Sequence, residues 1–220
     1  ESVNKFNRVT LDDFAAAVQA VKADPQIKGL LVTSAKNFFI VGADITEFGD
    51  VFSHGRDYIK NWVMDIHRTF NSFEDLNIPK VVAINGFALG GGLEMCLVND
   101  YRVMSDKAQI GLPELNLGLI PGFGGTVRIA RVAGAAKGIE WISTSRPRKA
   151  QEALADGVVD EIAPHEELRV TALTALKKAI VGEIDWQAKR AIKLQAIKMP
   201  ESDSKTFFDD IRAELTKKTN

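Results

Sequence analysis

Short apolar runs set between amphipathic stripes are what most restrict the fold of this chain. Lys28-Gly-Leu-Leu-Val-Thr-Ser34 is rich in strand formers and shows no in–out alternation. Such a run is stable as a strand only with both faces covered, as in a sheet flanked by helices. Pro79 opens a second strand, Lys80-Val-Val-Ala-Ile-Asn85, and Tyr101-Arg-Val-Met104 and Val158-Val-Asp-Glu-Ile162 are read as two more. Between them the apolar period lengthens. Leu11, Phe14, Ala15, Val18 and Val21 follow Thr10, read as an N-cap, at helical spacing, and Asp24-Pro25 stops that helix. Ile59, Trp62, Val63, Ile66, Phe70 and Phe73 stripe a helix over 57–74. An apolar helix starts near Leu93, helical stretches end near Gly134 and Gly157, and a long helix runs from about His165 to Gly182. Strands alternating with helices predict an α/β domain. We place its core in residues 1–182. Residues 183–220 are more charged and less periodic, and form a C-terminal helical segment that is either a mobile arm or a helix that packs on something absent from this chain.

Charge and composition exclude several classes. The 220 residues carry a formal net charge of −1, so no global basic field draws nucleic acid or an anionic membrane. Arg146-Pro-Arg148-Lys149 is a local basic cluster, either a solvated loop or a contact for an anionic nucleotide tail. Cys96 is the only cysteine, which rules out an intrachain disulfide and suits a reducing compartment. Its apolar neighbours make it a small buried hydrophobe rather than a nucleophile. His54, His67 and His165 lack metal-ligand spacing and read as surface or loop residues. No apolar run approaches bilayer length and no signal peptide is visible. The chain opens on Glu1-Ser-Val-Asn without Met, as a fragment or processed product would.

Three segments carry chemistry. In Phe39-Ile-Val-Gly-Ala-Asp-Ile-Thr-Glu-Phe48, Asp44 and Glu47 have capping-box spacing. Gly42 can turn the Ala43 amide outward, although a well-capped helix explains the segment equally. In Asn85-Gly-Phe-Ala-Leu-Gly-Gly-Gly-Leu-Glu94, three glycines precede an apolar helix, leaving free N–H groups that suit a phosphate or an oxyanion. The glycine spacing does not match a dinucleotide loop, and no Gly-Lys-Ser/Thr follows to make a P-loop. Glu94, in the first turn, either favours the helix dipole or faces a pocket as a partly desolvated base. In the third segment, Glu114 is the only ionisable residue between Lys107 and Arg128, in a Gly/Pro-punctuated apolar loop. A carboxylate there is either exposed to water or held for use.

Taken together and in this order, Ser2-Val-Asn-Lys-Phe-Asn7, Ile40-Val-Gly-Ala-Asp-Ile-Thr-Glu-Phe48, the Gly90–Glu94 turn and Ile120-Pro-Gly-Phe-Gly-Gly-Thr126 resemble the crotonase (enoyl-CoA hydratase/isomerase) superfamily. They are most similar to its multifunctional bacterial members of fatty-acid β-oxidation. The resemblance implies a spiral of ββα units, here without the family's first strand and ending before the helices that lead to a dehydrogenase domain. It implies Glu94 and Glu114 as the catalytic pair, and the Ala43 and Gly91 amides as an oxyanion hole. Substrate binding then falls to Ile40, Gly42, Asp44, Gly90 and Gly122, the last lining the water site. The implied reaction is hydration of a 2-trans-enoyl-CoA, with Δ3–Δ2-enoyl-CoA isomerase and 3-hydroxyacyl-CoA epimerase activities at the same site. An isomerase, a thioester hydrolase or a non-catalytic acyl-CoA-binding module are the alternatives. No cofactor or metal is expected, because coenzyme A arrives with the substrate. The implied partners are the acyl-CoA thioester, a 3-hydroxyacyl-CoA dehydrogenase domain in the parent chain and a thiolase subunit. A homo-oligomer remains open, and the implied location is the bacterial cytoplasm.

Overall fold

The computed structural model describes residues 3–197 and 204–219. In chain order the elements are α1 (Arg8–Ala23), β1 (Leu30–Val32), α2 (Phe48–Ser53), α3 (Arg56–Glu74), β2 (Lys80–Ile84), β3 (Phe87–Leu89), α4 (Gly91–Leu97), β4 (Tyr101–Ser105) and β5 (Gln109–Gly111). There follow α5 (Gly125–Ala133), α6 (Ala135–Thr144), β6 (Arg148–Lys149), α7 (Ala150–Ala155), β7 (Glu161–Ala163), α8 (Leu168–Ile180), α9 (Trp186–Leu194) and α10 (Ser204–Thr219). Short 3₁₀ turns cover Ile45–Glu47, Glu114–Leu117 and His165–Glu167.

The larger sheet is all parallel, in the order β1-β2-β4-β7, with Leu31 opposite Val81, Val82 opposite Arg102 and Met104 opposite Ile162. Successive residues of a strand face opposite sides. Val82 and Ile84 of β2 therefore enter one core with Leu93, Cys96 and Leu97 of α4. Val81 and Ala83 enter another with Leu168, Ala172 and Leu176 of α8. A strand covered on both faces cannot alternate in polarity, which is why β2 reads as an unbroken apolar run. A third core joins α1 and α3 through Val18, Ile66, Phe70 and Phe73, closed by Phe6 and Phe123.

The smaller sheet pairs β3 with β5 in parallel and β5 with β6 antiparallel. It supplies the repeating plan. β2 enters the large sheet, β3 the small one, and α4 follows; β4, β5 and α5 repeat the sequence. The β1 region does the same with a single bridge, Ile40 beside Ala88, in place of a strand. The result is a spiral of ββα units.

Several boundaries differ from expectation. The N-cap of α1 is Asn7; Thr10 sits at the third helical position and completes a capping box with it. The predicted strand 158–162 begins only at Glu161, because Val158 and Val159 are buried loop residues of the core. The helix expected from His165 starts with a 3₁₀ turn and ends at Ile180. Arg148 is buried, holding Glu140 at 3.2 Å with its guanidinium 5.1 Å from the Trp141 ring. Arg146 is exposed in the loop, where it pairs with Glu152, and Lys149 is exposed at the end of β6, so these two have the solvated character expected of the basic cluster and Arg148 does not. The end of the chain also contributes to the body. Arg190 of α9 binds Asp100 at 2.8 Å, and Lys193 binds Glu74 at 2.6 Å and the carbonyl of Leu97, at the end of α4, at 3.0 Å.

Candidate active site

A cavity of about 550 Å³ opens where four stretches of chain converge, namely Val41–Phe48, Ile59–His67 on α3, Gly90–Glu94, and Pro113–Thr126. Its wall is largely apolar, with Phe48, Trp62, Val63 and Phe123 among the lining side chains. Ile45, Leu117 and Ile120 stand at its rim, 57%, 57% and 68% exposed. Ionisable side chains on the wall are limited to Glu94, Glu114 and His67.

The three glycines at the start of α4, its N-cap Gly90 and its first residues Gly91 and Gly92, are small for three separate reasons. A Cβ on Gly90, whose φ is +53°, would lie 3.1 Å from Glu114 Oε1. One on Gly91 would lie 3.0 Å from the Phe123 ring, and one on Gly92 would strike the Ile40 carbonyl oxygen at 2.0 Å. The turn is thus squeezed between the substrate-side carboxylate, the cavity wall and the 40–44 segment. Gly91 opens α4, so its N–H has no partner within the helix, and it donates to no other acceptor among the described residues. The Ala43 amide is similarly free. Phe6 donates to the Gly42 carbonyl and accepts from the Asp44 amide, which turns the intervening Ala43 N–H to the other side of the chain, where the cavity lies.

Glu94 is 1% exposed. Its Oε1 accepts from the Phe123 amide at 2.7 Å and the Gly125 amide at 2.6 Å. Gly125 must lack a side chain, since a Cβ there would sit 2.8 Å from Glu94 Oε1. The turn that carries these amides is itself held from both sides. His67 Nε2 donates to the Gly122 carbonyl at 2.6 Å. Arg128 donates to the Phe123 carbonyl at 3.3 Å, to Asn71 at 2.7 Å and to Glu74 at 2.8 Å. Glu114 lies across the cavity in its 3₁₀ turn, and its Oε2 is buried without a hydrogen-bond partner.

The structure brings Gly42, Ala43, Gly90, Gly91, Glu94, Glu114 and Gly122 together around one cavity. Ile40 and Asp44 stand outside it. Ile40 packs into the core beside Ala88. Asp44 turns toward Lys5 at 2.6 Å and the Thr46 hydroxyl at 2.7 Å, and these contacts hold its pKa down to about 2. Asp44 caps its 3₁₀ turn, but Glu47 does not complete a capping box; it accepts from the Arg8 amide at 3.2 Å and clamps the start of α1. Cys96 is fully buried, its thiol donating to Gly92, and burial pushes its pKa up. Among the described residues no His, Cys, Asp and Glu group could hold a metal ion, and no helix is long and apolar enough to cross a membrane. The Phe123 and Gly125 amides and Arg128 were not singled out in the sequence, and His67, expected there as a surface or loop residue, instead lies within α3 and lines the cavity. His67 had the one available signal: it lies on the inner stripe of α3, one residue after Ile66.

Residues 1–211 match the enoyl-CoA hydratase/isomerase family. The chain belongs to this family, the crotonases. The fatty acid oxidation complex subunit alpha of Acinetobacter baylyi is 54% identical over all 220 residues, which make up 31% of that protein. The corresponding subunit of Pseudomonas syringae pv. syringae is 53% identical over 209 residues, 95% of this chain and 29% of that protein. The chain therefore spans about a third of the length of these relatives. Among solved structures, the enoyl-CoA hydratase from Bacillus anthracis superposes with a TM-score of 0.76 at 28% identity, covering 98% of this chain and 82% of that one.

The electrostatics of this crotonase cavity centre on the two glutamates. Burial first, and then the neighbouring Glu114 carboxylate, push Glu94 up to about 8 against the pull of the Gly125 and Phe123 amides. Burial raises Glu114 as well. Two carboxyl groups in one apolar space titrate as a pair, and at neutral pH this pair retains a proton.

Proposed function

We propose that this domain hydrates 2-trans-enoyl-CoA thioesters, with Glu94 and Glu114 as the catalytic pair. The observation that carries the reading is the convergence of a buried carboxyl group, a half-buried one and two unpaired backbone N–H donors on one apolar cavity. Addition of water to a conjugated thioester builds negative charge on the carbonyl oxygen. The Ala43 and Gly91 amides would receive that charge without reorganising, and losing one such donor typically costs about 3 kcal/mol. Water gives a proton to Glu94 as its oxygen bonds to Cβ. Glu114 gives a proton to Cα as the enolate collapses to the thioester, and proton exchange then resets the pair. Burial raises the Glu94 pKa on balance, and the amides on its Oε1 offset part of that rise and so assist its work as a base. The unpartnered Oε2 of Glu114 favours the protonated form, as an acid requires.

The same groups suffice to move a double bond from Δ3 to Δ2 or to invert a 3-hydroxyacyl centre, since each needs only proton transfers beside a stabilised oxyanion. We extend the reading to those side activities and to a role in fatty-acid oxidation, supported by the names of the relatives in Acinetobacter and Pseudomonas. From the motif resemblance alone, we further propose a dehydrogenase domain in the parent chain and a thiolase subunit as partners, and no cofactor beyond the coenzyme A of the substrate. Hydration of crotonyl-CoA is the test. Glu94→Gln and Glu114→Gln should each lower kcat by about 10²- to 10⁴-fold, the range for loss of a general acid or base. Near-parental turnover in both variants would sink the assignment.

A further inference from the structure

The structure assigns His67 as a positioning residue that acts on Glu94 through a single peptide group. His67 Nε2 lies 2.6 Å from the Gly122 carbonyl oxygen. A carbonyl can only accept, so Nε2 carries the proton. That carbonyl belongs to the same peptide unit as the Phe123 N–H, which donates to Glu94 Oε1 at 2.7 Å. The chain is therefore continuous: imidazole N–H, peptide oxygen, peptide N–H, carboxylate. Donation into the peptide oxygen polarises the amide and strengthens its own N–H as a donor. It also fixes the plane of the peptide, and with it the direction from which Glu94 Oε1 is held. The opposite flank of the turn is secured separately, by Arg128 on the Phe123 carbonyl. His67 thus supports one of the two amides that hold Glu94, while the Gly125 amide is carried by α5.

The imidazole shares the cavity with Glu94 and Glu114. On its own helix, Asp65 and Arg68 pair with each other on the exposed side and do not face it. His67 is therefore placed to orient the base through the Gly122–Phe123 peptide.

The kinetic part of this inference rests on the proposed hydratase reading; its structural part does not. His67→Leu removes the donor at similar bulk, and His67→Gln offers an amide N–H in its place. With crotonyl-CoA, His67→Leu should lower kcat on the order of 10- to 100-fold, the effect of a misplaced catalytic group, with KM little changed. Its alkaline pH limb should move upward, and His67→Gln should recover most of the loss. Equal kinetics in His67→Leu and the parent, or equal loss in the Leu and Gln variants, would overturn the assignment. The Phe123 amide proton resonance provides a readout independent of turnover. It should move upfield in His67→Leu and return in His67→Gln. An unmoved resonance would overturn the peptide relay whatever the enzyme's activity. A moved resonance in a protein that hydrates nothing would instead count against the hydratase reading.

Discussion

Glu94 shows how one residue can be costly and useful together. It is buried beside a second carboxyl group, and its pKa is pushed up from 4.5 to about 8. A carboxylate whose folded value is raised is best tolerated below its unfolded value, and the folded state loses stability as pH rises from there toward the folded value. Glu94→Gln removes that ionisation. The variant should therefore resist urea better than the parent at pH 8, with the difference vanishing near pH 4; a constant gap across this window would contradict the sign. Activity should follow the same pair. If the pair protonates Cα as proposed, loss of its shared proton leaves no donor, and kcat/KM for crotonyl-CoA should fall above about pH 8. A flat profile to pH 10 would argue against a proton donor of this kind. The identity of both glutamates was readable in the sequence, as lone carboxyls in apolar glycine-punctuated segments. His67 was not readable, because its role depends on a carbonyl 55 positions away in the chain.

At the scale of elements, α9 matters more than its charged sequence suggests. Lys193 of α9 is 7% exposed and binds Glu74, the Leu97 carbonyl and the Asn99 carbonyl. Glu74 in turn holds Arg128, which supports the turn around Phe123. Burial raises the Glu74 pKa, but Lys193 and Arg128 outweigh it and leave the group below the usual carboxylate range. Removing one partner of a buried pair leaves an uncompensated charge. Lys193→Met should cost about 3 kcal/mol in urea unfolding; a loss below 0.5 kcal/mol, roughly the scatter of surface substitutions, would show that α9 is peripheral. Charge and weak periodicity made this segment look like an arm because its apolar contribution is small. It is anchored by lysine and arginine heads reaching buried carbonyls and carboxylates, a pattern that hydrophobic periodicity does not register. β3 and β5 escaped notice for a related reason. Each is three residues long, too short to show a period, and exists because its neighbour supplies the hydrogen bonds.

For the whole molecule, the spiral of ββα units brings the 41–48, 59–67, 90–94 and 113–126 stretches to one cavity. A ligand bridging them should stabilise the domain as a unit. Saturating acyl-CoA at about 100 times its Kd should add roughly 2.7 kcal/mol to unfolding and perturb the fluorescence of Trp62, which lines the cavity. No shift in Tm with acyl-CoA would count against the cavity as its binding site. The sequence alone determined the α/β class, the central strands, the glycine turn and the two glutamates, and motif order pointed to the family. Each of these is a local property, set by side-chain period, backbone freedom or an unusual carboxyl in an apolar setting. Tertiary structure alone decided that Asp44 turns away from the cavity to Lys5, that Glu94 is clamped by the Phe123 and Gly125 amides, and that α9 reaches under the active-site turn. Those facts depend on which backbone groups meet across long stretches of chain, and a residue's type does not reveal which carbonyl or amide will face it after folding.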